Sequence, residues 1–218
     1  MQITEKILKK EFEKYKNPQS EKEILIIQAG EKLFSQKGYA ATTTAELAKL
    51  ASVTERTLFK YFPNKSLLYL RILSGLLYMT ILPNHMQDLK DRLTKIEGSY
   101  KEWYLSLIRA RFQAASQNRD KVKLLIDALL HEKSFAKIFG KLWKENLFDS
   151  SVKAIEHFQN KGEIRGELDP TAVARASYSL MASFIVYRFA LGIDIDHTDE
   201  AEALSLINIF IQGIGERK

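Results

Sequence analysis

The chain has 218 residues, 45% of them apolar and 28% charged, with no cysteine and a formal net charge of +6. That apolar content is enough for a buried core, and the missing cysteines exclude disulfides, thiolate catalysis and cysteine-built zinc sites. The charge is uneven: residues 1–65 hold 12 Lys/Arg against 8 Asp/Glu and residues 66–218 hold 21 against 19, so the first third is the end expected to meet a polyanion.

The opening stretch MQITEKILKKEFEKYKNPQS is charged throughout and lacks the apolar core of a secretory signal. Within it Ile3, Ile7, Leu8 and Phe12 lie near one stripe, so residues 1–20 form a basic N-terminal extension with a helix of its own. It reads either as an arm touching phosphates or as a loosely docked terminus. Apolar residues then recur at steps of three and four almost to the end, and Pro and Gly are scarce, so an all-α fold is predicted. The helices expected are 21–37, 44–51, 54–61, 65–82, 86–96, 99–116, 120–131, 134–161, 170–190 and 199–213, broken at Gly38, Pro63, Pro83, Gly98, 162–170 and 192–198. The longest uncharged apolar run, 176–187, is too short to cross a bilayer. A soluble, cytoplasmic protein without membrane contact is expected.

Residues 42–65, TTTAELAKLASVTERTLFKYFPNK, place two short helices almost end to end. Thr43 and Glu46 have the spacing of a capping box, which fixes the first start. Ser52-Val53 leaves room only for a sharp turn before Thr54 caps the second helix. At 100° per residue Leu58 and Phe62 share one face, while Arg56 and Lys60 project nearly opposite, flanked by Thr57 and Phe59. Like charges at i and i+4 disfavour an isolated helix by about 0.2–0.5 kcal/mol, a liability that an anion removes. DNA supplies one. Arg56 can bond a guanine edge, Glu55 can accept from a cytosine amine and the Thr57 methyl can touch thymine. Thr43 and Thr54 sit at helix N-termini suited to phosphate oxygens, and Lys65 can clamp another phosphate. This is a helix-turn-helix.

Residues 24–70 moreover resemble the DNA-binding domain of TetR-type transcriptional regulators. The resemblance runs through Ile26-Ile27, Ala29, Leu33-Phe34, Gly38-Tyr39, Thr42-Thr43, Leu47-Ala48, Ala51, Val53-Thr54, Thr57-Leu58-Phe59, Tyr61-Phe62, Lys65 and Leu68. It implies that Thr43, Thr54, Tyr61 and Lys65 anchor the phosphate backbone while Glu55, Arg56, Thr57 and Lys60 face the groove. Three positions depart from the family's pattern. Ser52 stands where Gly is usual in the turn, at a cost of about 1–2 kcal/mol if that backbone is left-handed. Arg56 stands where Gly is frequent and adds a sequence preference. Phe59 stands for a common Tyr and is expected to pack on sugar or a thymine methyl.

The expected division is therefore a helix-turn-helix domain, 21–65, and a helical effector-binding and dimerisation domain, 66–218. The stretch 162–192 resembles the approach to the family's dimerisation helices: Asp169 caps, Pro170 opens the helix, and small residues such as Ala176 and Ser183 permit close approach. With Ile207, Phe210 and Ile211 on the last helix they are the candidate dimer interface; an intramolecular core is the other reading. Tyr78, Met79, Trp103, Tyr104, Phe112, Phe184 and Tyr187 are the candidate lining of a pocket for a largely apolar ligand, and ordinary core packing also explains them. The four histidines are scattered without ligand spacing, so neither metal nor cofactor is expected, and no catalytic motif is present. The whole reads as a homodimeric regulator, a repressor that leaves a palindromic operator on double-stranded DNA when a small-molecule effector binds, and not an enzyme. The alternative is a helical interaction module whose basic face binds protein or another acidic surface.

Overall fold

The computed structural model describes residues 3–81, 96–193 and 199–215, and every regular element among them is helical. The helices are α1 (Glu5–Lys16), α2 (Glu21–Ala41), α3 (Thr44–Leu50), α4 (Glu55–Tyr61), α5 (Lys65–Ile81), α6 (Tyr100–Gln117), α7 (Arg119–His131), α8 (Lys133–Trp143), α9 (Asp149–Asn160), α10 (Pro170–Ile185) and α11 (Asp199–Ile214). The helix expected over 86–96 falls outside the described residues. Two predicted helices prove composite: 134–161 widens into a π-helical segment at Lys144–Phe148, and 170–190 ends in another at Val186–Ala190. Apolar periodicity does not register such a widened turn, because the stripe resumes beyond it.

Local chemistry sets the ends. Thr4, Ser20, Ser99 and Asp169 each accept a first-turn amide, at 3.3, 3.3, 3.3 and 3.1 Å. α2 is broken near its end by Gly38, whose φ of 80° and ψ of 164° no side-chain-bearing residue adopts readily. The Thr42 hydroxyl then donates to the Gly38 carbonyl at 2.9 Å and closes the corner before α3.

The chain forms two compact units, Met1–Leu82 with Asp120–Lys141, and Pro83–Arg119 with Leu142–Lys218. The expected border after residue 65 thus runs through the first unit. α5 lies against both α1 and α2, and its Leu68, Ile72 and Leu73 are buried with Leu8 of α1, Ile26 and Phe34 of α2, Leu47 of α3 and Leu58 of α4. Each such side chain contributes about 1.5–3 kcal/mol on burial, more than a break at Pro63 could offset. α1 is likewise neither frayed nor loose. Its Tyr15 ring lies close against Gly75, where a Cβ would come within 2.6 Å of the ring. α7 and α8 are tied to this unit by Lys121–Glu31 at 3.5 Å and Lys141–Glu5 at 3.4 Å.

In the second unit α10 packs on α6, α9 and α11, and α6 on α11. Tyr100 and Tyr104 of α6 stack at 5.6 Å, Phe158 of α9 meets Tyr100 edge-on at 5.3 Å, and the Tyr104 hydroxyl donates to the Ser177 carbonyl at 3.0 Å. The 161–169 connection is stitched to the last helix by Arg165, which donates to the Gly213 and Ile214 carbonyls.

Candidate nucleic-acid interface

α3 begins with the predicted capping box: the Thr43 hydroxyl accepts the Glu46 amide at 3.2 Å while Glu46 takes the Thr43 amide at 2.9 Å. Lys37, projecting from α2, bonds the other Glu46 oxygen. The lysine foremost, then the Thr43 amide and hydroxyl, hold the Glu46 carboxyl down at about 2. The start of α3 is thereby pinned to the end of α2, a link that spacing within α3 does not reveal.

The turn that follows is as tight as the sequence demands. Val53 donates to the Ala48 carbonyl at 2.9 Å, and Ser52 lies at φ 53°, the one non-glycine residue at positive φ among those described. The left-handed backbone, posed only as a condition from the family's usual Gly, is the one observed. Thr54 caps α4 by accepting the Thr57 amide at 3.1 Å, with the two threonine hydroxyls 3.0 Å apart. Along α4, Leu58 is wholly buried, as is Phe62 at its C-cap, whereas Glu55, Arg56, Phe59 and Lys60 are exposed and Thr57 and Tyr61 half-buried. Phe59, 41% exposed, is a large apolar surface on an otherwise charged face. The Thr44 hydroxyl lies 3.5 Å from Glu55, at the edge of hydrogen-bond range.

Two of the expected phosphate anchors have partners far off in the chain. Lys65 spends its ammonium on the carbonyls of Tyr39, Ala40 and Thr42, at 2.7, 3.4 and 2.7 Å, and sits 4.4 Å from the Tyr39 ring centre. It ties the first turn of α5 to the last of α2. The Tyr61 hydroxyl accepts from Ser20 at 2.7 Å, so the N-terminus of α2 stands beside the last turn of α4. Neither contact is visible in the sequence, since the partners are 23 to 41 positions apart. Thr43 and Thr54 remain exposed at the starts of α3 and α4.

The described residues hold no cluster of three or more His, Asp or Glu arranged for a metal, and none of their helices is long and apolar enough to cross a membrane.

The short α3, the left-handed turn and an α4 with one buried and one cationic face are the parts of a DNA-reading helix-turn-helix. Residues 26–72, which run from the middle of α2 into α5, match the family model of bacterial regulatory proteins of the tetR family. The chain carries a TetR-type DNA-binding domain over residues 26–72 and is a DNA-binding transcriptional regulator. A 54-residue stretch is 44% identical to the HTH-type transcriptional regulator YuxN of Bacillus subtilis, itself uncharacterized; the match takes in 25% of this regulator and only 19% of that relative. Over nearly its whole length the regulator shares its fold with solved structures. The ketosteroid transcriptional regulator KstR2 of Mycobacterium tuberculosis superposes with a TM-score of 0.69 at 18% identity, covering 91% of this chain and 97% of that one. The transcriptional regulator FadR of Bacillus subtilis, in complex with stearoyl-CoA, does so at 0.65 and 17%, covering 88% and 98%.

The effector and dimer candidates of the regulator fall in different places. Trp103, Tyr104 and Phe184 are buried in the second unit, whereas Tyr78 belongs to the first, its ring 4.8 Å from Phe12. Burial pushes the Tyr78 phenol up to about 12, and its hydroxyl has no partner among the described residues. The side chains of Met79 and Phe112 lie outside those described. Tyr187 is 51% exposed. Of the dimer candidates, Ala176 and Ser183 are exposed and Phe210 and Ile211 half-buried. Ile207, at 3% exposure, fits the intramolecular-core reading, whereas Ile209, 69% exposed, is an apolar residue that α11 leaves to solvent. Helical periodicity finds the stripe but not which neighbour covers each edge of it.

Proposed function

We propose that this regulator is a cytoplasmic repressor that occupies a near-palindromic operator as a homodimer and is released by a small, largely apolar ligand held in the second unit. The observation that carries the DNA-reading part is the division of α4 between buried Leu58, with Phe62 at its C-cap, and exposed Glu55, Arg56, Phe59 and Lys60. In this reading α4 enters the major groove, Arg56 bonds a guanine edge, Glu55 a cytosine amine, and Thr57 and Phe59 meet thymine methyls or sugar. Thr43, Thr54 and Tyr61 take phosphates. Lys65 acts differently from an exposed anchor: fixed on three carbonyls, it holds α5 and α2 in register.

The homodimer is supported by small exposed Ala176 and Ser183 on α10 together with the apolar exposure of Val186, Tyr187 and Leu191 just past its end and of Ile209 on α11. Two copies related by a twofold axis present two recognition helices, and a ligand that changes their spacing weakens simultaneous docking. For the ligand, the aromatic core around Tyr100, Trp103, Tyr104 and Phe184 supplies apolar walls, and the FadR fold neighbour is solved with stearoyl-CoA.

Selecting duplexes from random-sequence DNA with the full chain tests the reading. Recovery of a preferred sequence whose binding weakens steeply with salt is expected, and Arg56→Ala then relaxes the preference at one base pair by about 1–3 kcal/mol. Salt-insensitive binding without preference would overturn it.

A further inference from the structure

α1 lies outside the stretch that matches the family model, and its joint with the rest of the first unit is unusual in kind. Arg71 of α5 is buried, and its guanidinium makes three contacts. Nε donates to Glu11 of α1 at 2.6 Å, Nη1 donates to Glu23 of α2 at 2.6 Å, and the flat face stands 5.2 Å from the Phe62 ring centre. Glu11 and Glu23 are buried as well. The second oxygen of Glu23 accepts the Gln19 amide at 2.7 Å, and that of Glu11 accepts from Lys14 at 3.0 Å. Two carboxylates thus meet two cations, with a backbone amide besides, which is what a buried ionic group needs in order to persist.

Phe62 is the C-cap of α4, its amide bonded to the Leu58 carbonyl at 2.9 Å. The guanidinium therefore ties the last turn of the recognition helix to α1, α2 and the bend between them. Ser20, at the start of α2, reaches the same turn through the Tyr61 hydroxyl. Few side chains other than arginine can do this, because a planar fork can bridge two carboxylates while its face rests on an aromatic ring.

We infer that α1 is a clamp that sets the angle of the recognition helix, and that Glu11, acting through Arg71, is a positioning residue for sequence-specific DNA binding. The rival reading of α1 as a cationic arm on DNA fits its side chains less well. Lys9, Lys14 and Lys16 are each paired with a glutamate of the same helix, Glu5, Glu11 and Glu13, at 2.9, 3.0 and 3.1 Å. The buried face of α1, Leu8, Glu11 and Phe12, is spent on the protein.

The inference rests on the DNA-reading assignment of α4, and the experiment separates their failures. Binding of the full chain to its selected duplex and to a scrambled duplex is measured across a salt series, at temperatures well below each variant's melting midpoint by circular dichroism. Glu11→Gln is expected to weaken selected-duplex binding about tenfold, the loss equivalent to one misread base pair. Scrambled-duplex binding and the salt slope stay as in the wild type, because no phosphate contact is removed. Neutralising Lys6 and Lys10 together leaves the ratio between the two duplexes unchanged, and the slope with it. A folded Glu11→Gln protein with wild-type discrimination would overturn the inference, as would a slope that falls by about 0.9 per lysine removed. If Glu11→Gln does not fold, Arg71→Lys is read in its place, and the same loss of discrimination is expected; unchanged discrimination, or failure of both variants to fold, also overturns it. A wild-type chain that prefers no duplex would instead sink the reading of α4.

Discussion

The backbone at Ser52 is held at φ 53° to let α4 follow α3 without a longer loop. A residue with a Cβ there costs about 1–2 kcal/mol over a right-handed conformation, and glycine escapes that cost while losing about 0.5–1 kcal/mol of chain entropy on folding. Ser52→Gly should therefore raise stability by about 0.5–1 kcal/mol in a denaturant titration, with DNA preference unchanged. The sharp turn was legible in advance from the two residues left between α3 and the Thr54 cap; that it is left-handed at Ser52 followed only conditionally, from the Gly usual there in the family resembled. Lys65 was not legible in the same way: it reads as a cation near a helix start, and only the fold brings the carbonyls of Tyr39, Ala40 and Thr42 to it. Substituting it by Met should lower the melting temperature and weaken selected and scrambled DNA alike, while the salt slope stays as in the wild type, since one lost phosphate contact would lower it by about 0.9. A full drop of that size would return Lys65 to the phosphate backbone.

At the scale of elements, α3 depends on an ion pair at its first turn. The folded Glu46 carboxyl, drawn down from 4.5 to about 2 by Lys37 first and Thr43 next, is below its unfolded value. Its contribution to stability is accordingly present above pH about 4.5 and lost as pH falls toward about 2. Comparing wild type with Glu46→Gln, the difference in melting temperature should be widest at neutral pH and close on acidification; a gap independent of pH would show that the pair contributes nothing. α1 and α5 give a second test. A methyl at Gly75 would strike the Tyr15 ring, whereas a methyl at Gly140 of α8 meets nothing within 4 Å. Gly75→Ala should lower stability by about 1–3 kcal/mol and Gly140→Ala raise it by up to about 1 kcal/mol. Helix starts were readable at Thr43, Thr54 and Asp169, where the cap is local. The π segments at Lys144–Phe148 and Val186–Ala190 were not, since one extra residue in a turn leaves composition and period almost intact.

For the whole molecule, the sequence reading drew a border after residue 65, whereas α5 and most of α7 and α8 lie in one compact unit with the helix-turn-helix, where their apolar and ionic partners are. Long-range pairing of that kind is set by which surfaces meet, not by spacing along the chain. The same limit left Ile207, which is buried within its own chain, open between core and interface, and passed over Ile209, which is exposed. If α10 and α11 form the twofold interface, Ile209→Glu should shift the protein to monomer in analytical ultracentrifugation and sharply weaken operator binding, because a single recognition helix then carries the affinity alone. An unchanged dimer would move the interface elsewhere. The most direct test of the central claim, that α4 reads the major groove as one of a symmetric pair, is hydroxyl-radical footprinting of the full chain on a duplex selected from random DNA. Two protected half-sites about 34–36 Å apart, one turn of the duplex, are predicted; one unrepeated patch, or no preferred sequence to footprint, would contradict it.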